Sequence, residues 1–136
     1  MVQSAQEPTF LPLTVAVTSS PDLGGAERVR RCAQEADAAA AHCWTALLGG
    51  CDAGERRTLP VKLRALAEAT SSYGGTRWWV GRGAAHRRRV TEAQLRINDA
   101  VREGDGAEFA EAFVGYDQAI ATAVVSVPAK LESPAP

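Results

Sequence analysis

Residues 84–127 read AAHRRRVTEAQLRINDAVREGDGAEFAEAFVGYDQAIATAVVSV, and this stretch decides the fold. Val90, Ala93, Ile97 and Val101 recur at steps of three and four, as do Phe109, Phe113, Tyr116, Ile120, Ala123 and Val127. Such spacing places each set on one face of an α-helix. Gly104 stops the first helix, and Asp105-Gly106-Ala107-Glu108 has the capping-box pattern that opens the second. A connection of about two residues implies an antiparallel helical hairpin.

Upstream the same rhythm appears twice more. One stripe is Ala26, Val29, Ala33, Ala36, Ala40, Cys43 and Leu47; the other is Leu59, Leu63, Leu66, Thr70 and Tyr73. Ser20 as N-cap and Pro21 in the first turn predict a helix from about residue 21 to Leu48, stopped by Gly49-Gly50. Asp52-Ala53-Gly54-Glu55 has capping-box spacing, but Pro60 fits poorly inside a helix begun there. The next helix is therefore expected from Thr58 or Leu59 to Tyr73. Four helices with one apolar face each must bury those faces together. The expected fold is all-α: a compact four-helix bundle with an extended N-terminal arm and a C-terminal antiparallel helical hairpin. The arm spans residues 1–20, with β-branched alternation from Thr14 to Thr18 that could form one short strand. The bundle domain spans 21–128, and a loose tail of 129–136 follows Pro128.

A chain of 136 residues suits one domain with one core. Much of its 46% hydrophobic content is alanine, which permits close helix approach but buries little area per residue. Net charge is −1, so no global attraction to nucleic acid or anionic lipid exists. No run approaches the roughly 20 apolar residues of a membrane span. Phe10 to Val17 lacks a preceding basic residue and contains Pro12, unlike a signal peptide. The cytoplasm is the expected location. Cys32 and Cys43 lie roughly 16 Å apart on one predicted helix, too far for a disulfide. Cys51 falls in a loop, where a reactive thiol is the alternative to a small apolar filler.

The stretch from Gly74 to Gly83, GGTRWWVGRG, is the most unusual local composition and is expected to be a loop. Its Trp residues beside arginines suit a partner surface or base stacking, or one Trp plugs the bundle end. Gly81-Arg82-Gly83 could offer amides to an anion, but it lacks the GK[ST] ending of a phosphate-binding loop. Over Trp79-Val80-Gly81 the chain resembles the W-x-G turn of the small secreted helical-hairpin family; the rest departs from that pattern, so the resemblance implies no activity here.

From Arg77 to Val90 the chain holds five arginines and no acid. Cations at a helix N-terminus are disfavoured by about 0.3–1 kcal/mol each, so this cluster needs compensation or a partner. Carbonyls near Val127 and the i,i+4 neighbour Glu92 of Arg88 are the candidate compensators. His86 continues the apolar stripe through Val90 and is expected to pack. Glu108, Glu111 and Asp117 form an acidic set on the last helix. Without the Glu-x-x-His pattern they suggest dipole-favoured acids, with no metal expected. Gly115 lies between Phe113 and Tyr116, where it allows either a close crossing with the alanine-rich helix or a small pocket.

These residues predict a non-catalytic interaction or regulatory protein, with no cofactor. Its expected contact surface is Arg77, Trp78, Trp79, Arg82, Arg87 and Arg88, the Trp rings acting as anchors and the arginines as charge-assisted donors. The expected partner is an acidic protein surface or a second copy of the chain, and not a membrane. Nucleic acid binding by the same patch, through about three to five phosphate contacts, is the first alternative. A small-molecule or enzymatic helical bundle is the second.

Overall fold

Six α-helices follow one another in the computed structural model, which describes residues 9–21, 23–49 and 53–127. They are α1 (Pro12–Thr18), α2 (Glu27–Gly49), α3 (Ala53–Gly74), α4 (Thr76–Val80), α5 (Ala84–Glu103) and α6 (Gly106–Ser126). No strand occurs among the described residues, so the chain is an all-α helical bundle. Cys51, residues 1–8 of the arm and the 129–136 tail lie outside the described residues.

The most extensive contacts join α5 to α6 and α2 to α3. Gly104 adopts the left-handed conformation (φ 69°) that ends α5, and the Asp105 carboxylate accepts from the Glu108 N–H at 3.0 Å to cap α6. Arg96 bonds Glu108 near the connection, whereas Arg89 and Thr122 share a groove farther out. Val90, Ile97, Phe109, Phe113, Tyr116 and Ile120 are all buried, as the periodicity requires. Fully burying one such aliphatic or aromatic side chain is worth about 1.5–3 kcal/mol. The Tyr116 hydroxyl donates to the Leu63 carbonyl at 2.8 Å, tying α6 to α3. Burial pushes that phenol's pKa up, so it stays a neutral donor.

The N-terminal segment corrects the expectation of an extended arm or strand. Residues 12–18 form α1, packed on α6 and α2, with Phe10, Leu11, Thr14 and Thr18 buried. Two distant aspartates explain why a β-branched heptapeptide is helical. Asp37 on α2 accepts the N–H groups of Phe10 and Leu11 at 2.6 and 2.9 Å. Asp117 on α6 accepts those of Leu13 and Thr14 at 2.9 and 2.8 Å, and the Thr14 hydroxyl at 2.7 Å. The first N–H groups of a helix have no internal partner, and these carboxylates supply one. Inside α1 the Thr18 hydroxyl returns a bond to the Thr14 carbonyl at 2.6 Å. Phe10 then inserts among Trp44, Phe109 and Phe113, with ring centroids 5.3–5.9 Å away.

Three boundaries also differ from expectation. α2 begins at Glu27 and not near Pro21, because Gly24-Gly25 intervene and Gly25 takes φ 90°. α3 begins at Ala53 and carries Pro60 within it, so the helix runs through the proline and does not start at Thr58 or Leu59. The expected loop between Gly74 and Gly83 contains the helical turn α4.

Candidate functional site

The corner formed by α4 and the start of α5 holds all six residues singled out from sequence. Gly75, at φ 93°, breaks the chain between α3 and α4 in a conformation that favours glycine. Trp79 turns inward and is buried with the core. Trp78 is half-buried and lies in a slot between two glycines. A β-carbon at Gly83 would meet three atoms of its ring at 2.9 Å, and one at Gly74 would meet the ring at 2.7 Å. Val127, after α6, closes the same slot. The His86 ring stacks on Trp78 with centroids 6.0 Å apart and planes 23° apart. Of the two Trp rings expected as anchors, Trp79 is thus buried and Trp78 keeps an accessible edge.

Arginines cover this frame. Arg77, Arg82, Arg88 and Arg89 are exposed; Arg87 is half-buried and donates from Nε to the Trp79 carbonyl at 3.3 Å. That bond satisfies a carbonyl at the end of α4 and holds Arg87 in place. None of these five arginines pairs with a carboxylate among the described residues. Glu92 thus forms no ion pair with Arg88, so that compensator is not used. His86 is packed, as its position in the stripe implies, and its buried Nδ1 has no hydrogen-bond partner among the described residues. Burial, and then the nearby Arg89 charge, lower its pKa below the usual imidazole range. Its neutral form avoids adding a further cation to the corner.

The acidic set separates in space. Glu108 pairs with Arg96 at 2.8 Å, Glu111 is exposed, and Asp117 is buried in the α1 clamp. Among the described residues no three His, Cys, Asp or Glu side chains lie together as metal ligands. Nothing in sequence identified Asp37 as a partner of α1; a lone acid on the alanine-rich face of α2 was the available signal.

Gly115 does not mark a close crossing with α2, because a β-carbon there would meet nothing within 4 Å. It lines an open groove of about 400 Å³ between α5 and α6. Arg89, Glu92, Ala93 and Arg96 form one wall, opposite Thr122, Ala119, Gln118 and Gly115. Cys32 is half-buried and Cys43 buried. Among the described residues no helix is long and apolar enough to cross a membrane. Comparison with protein-family models, with curated proteins and with solved structures found no match to the chain.

Proposed function

We propose that this chain is a non-catalytic interaction protein that docks an acidic protein surface through its α4–α5 corner. Its frame is a bundle of four long helices in which α5 and α6 form an antiparallel hairpin, with α1 and α4 as short attachments. The observation that carries the proposal is the set of exposed arginines without carboxylate partners among the described residues, Arg77, Arg82, Arg88 and Arg89, on a corner stiffened by Trp78 and Trp79. Arg presents a planar fork of donors suited to carboxylates, and fixing its backbone lowers the entropy lost on binding. Trp78 contributes its accessible edge, while Trp79 keeps the corner folded.

The test is affinity capture from native lysate with the wild-type chain and with Arg77→Glu/Arg82→Glu/Arg88→Glu, each with and without nuclease. The expected result is retention of an acidic protein that survives nuclease and is lost on charge reversal, with helicity unchanged. Capture indifferent to charge reversal overturns the proposal. Capture abolished by nuclease overturns it in favour of nucleic acid, for which a steep salt dependence is the second signature.

A further inference from the structure

The surface that α1 covers has the build of a recognition groove. α6 supplies Asp117, Phe109 and Phe113, and α2 supplies Asp37 and Trp44. The two carboxylates accept the N–H groups of Phe10, Leu11, Leu13 and Thr14, donors that the start of any helix leaves without an internal partner. The Phe10 ring fills a pocket of three aromatic rings, as the anchor residue of a docked peptide does. Neither carboxylate pairs with a cation among the described residues, so α1 is what satisfies them.

The covalent tether between α1 and its groove is residues 19–26. α1 packs on α6 and α2, whereas the main seams of the bundle are α2–α3 and α5–α6, which α3 joins by packing on α5 and α6. Asp37, which holds the start of α1, lies about 15 Å along α2 from its first residue, Glu27. Thr18, at the other end of α1, lines a small pocket with Glu27 and Arg30. α1 therefore runs back along α2, and the tether must reverse the chain before α2 begins. Gly25 lies in that reversal at φ 90°, a conformation that favours glycine.

A second copy carries the same α1, with the same N–H groups and the same phenyl ring for this groove. When the tether opens, every contact of α1 with α2 and α6 can re-form between two chains. The cost is then confined to the tether and to association, which makes exchange of an identical element an inexpensive route to a dimer. We infer that the α2–α6 groove accepts α1 from a second copy as well as its own, and that the Gly25 hinge sets the balance between a closed monomer and a reciprocal α1-exchanged dimer. The closed chain holds its own α1 at an effective concentration on the order of millimolar, which keeps the micromolar protein monomeric. The α4–α5 corner takes no part in this exchange.

Gly25→Ala tests the hinge in the full chain. An added β-carbon would meet only the Tyr73 ring, at 4.0 Å, so alanine fits in space and is strained by φ alone. Opening the tether relieves that strain in both chains. Sedimentation velocity across a concentration series is expected to give Gly25→Ala a dimer dissociation constant about 10- to 100-fold below that of wild type. Gly24→Ala, whose β-carbon meets nothing and whose φ is not positive, is expected to match wild type. The pair Leu13→Cys/Val114→Cys, at two exposed positions on one groove beside α1, reports which chain supplies the helix. A short thiol crosslinker is expected to join the pair within one chain in the micromolar wild-type background and between chains in the Gly25→Ala dimer, read on a denaturing gel against each single variant. A folded Gly25→Ala chain that stays monomeric throughout the series, or a dimer whose crosslink remains within one chain, overturns the inference. If Gly25→Ala does not fold, the wild-type tether at about millimolar concentration decides: links between chains are expected, and links only within one chain overturn it.

Discussion

At Gly83 a single methyl group tests how the Trp78 ring is held. Its φ of −86° is open to any residue, so substitution there brings no backbone strain. Only the ring objects: an added β-carbon would stand 2.9 Å from three of its atoms. Gly83→Ala is expected to destabilise the fold by about 1–3 kcal/mol, the usual cost of overpacking, read from the midpoint of chemical denaturation. Gly104→Ala provides a contrasting control, because nothing approaches its β-carbon position but its φ of 69° is strained for alanine. His86 acts on the same ring in a pH-dependent way. Its folded pKa lies below the unfolded value of about 6.5. Between the two values the unfolded chain binds more protons, so stability falls as pH drops from above about 6.5 through the folded value. His86→Gln is expected to flatten that part of the stability–pH curve, measured as denaturation midpoints at several pH values. A curve whose slope there is unaltered would contradict the burial of the imidazole.

At the scale of the element, Pro60 shows a local rule overridden by its surroundings. Proline removes one helical hydrogen bond and crowds the preceding turn, yet α3 runs through it from Ala53. Leu59, Leu63 and Leu66 are fully buried on the same helix, and their packing offsets that cost. Pro60→Ala is therefore expected to raise stability by about 1–2 kcal/mol, the restored bond being partly offset by the greater freedom of the unfolded chain. An unchanged or lowered midpoint would mean that the proline is packed to advantage. The elements differ in how far sequence revealed them. α5 and α6 each span five or more turns, so their apolar period is repeated often enough to stand out, and Gly104 and Asp105 mark the junction. α4 has five residues, too few for any period. In α1 the β-branched alternation of Thr14 to Thr18 favours a strand locally, and the capping carboxylate lies 103 residues away from Thr14. The same distinction governs the corner. Its arginine excess is a local count, whereas the inward turn of Trp79 and the glycine slot around Trp78 depend on how α3, α4 and α5 meet.

For the whole molecule, α1 acts as a strap, because neighbouring residues at its N-terminal end are fixed to different helices. Asp37 holds the chain at Phe10 and Leu11 against α2, and Asp117 holds Leu13 and Thr14 against α6. Between α2 and α6 the direct contact is slight, and the aromatic group of Phe10, Trp44, Phe109 and Phe113 bridges them. Each carboxylate receives backbone bonds that would otherwise be unmade in a largely buried setting. Asp37→Ala and Asp117→Ala are each expected to cost about 2–4 kcal/mol, a large share of an ordinary domain's stability. Their combination carries the information. If both act by docking one strap, losing either releases it, and the second loss then costs less than it does alone. The double variant should therefore fall short of the summed single effects by at least about 1 kcal/mol in a double-mutant cycle. Strict additivity in denaturant titrations would show two independent contacts and would rule out the strap. Phe10→Ala adds a third arm to the same experiment. It removes the strap's apolar anchor for about 3–5 kcal/mol, and its cost should shrink in the Asp37→Ala background.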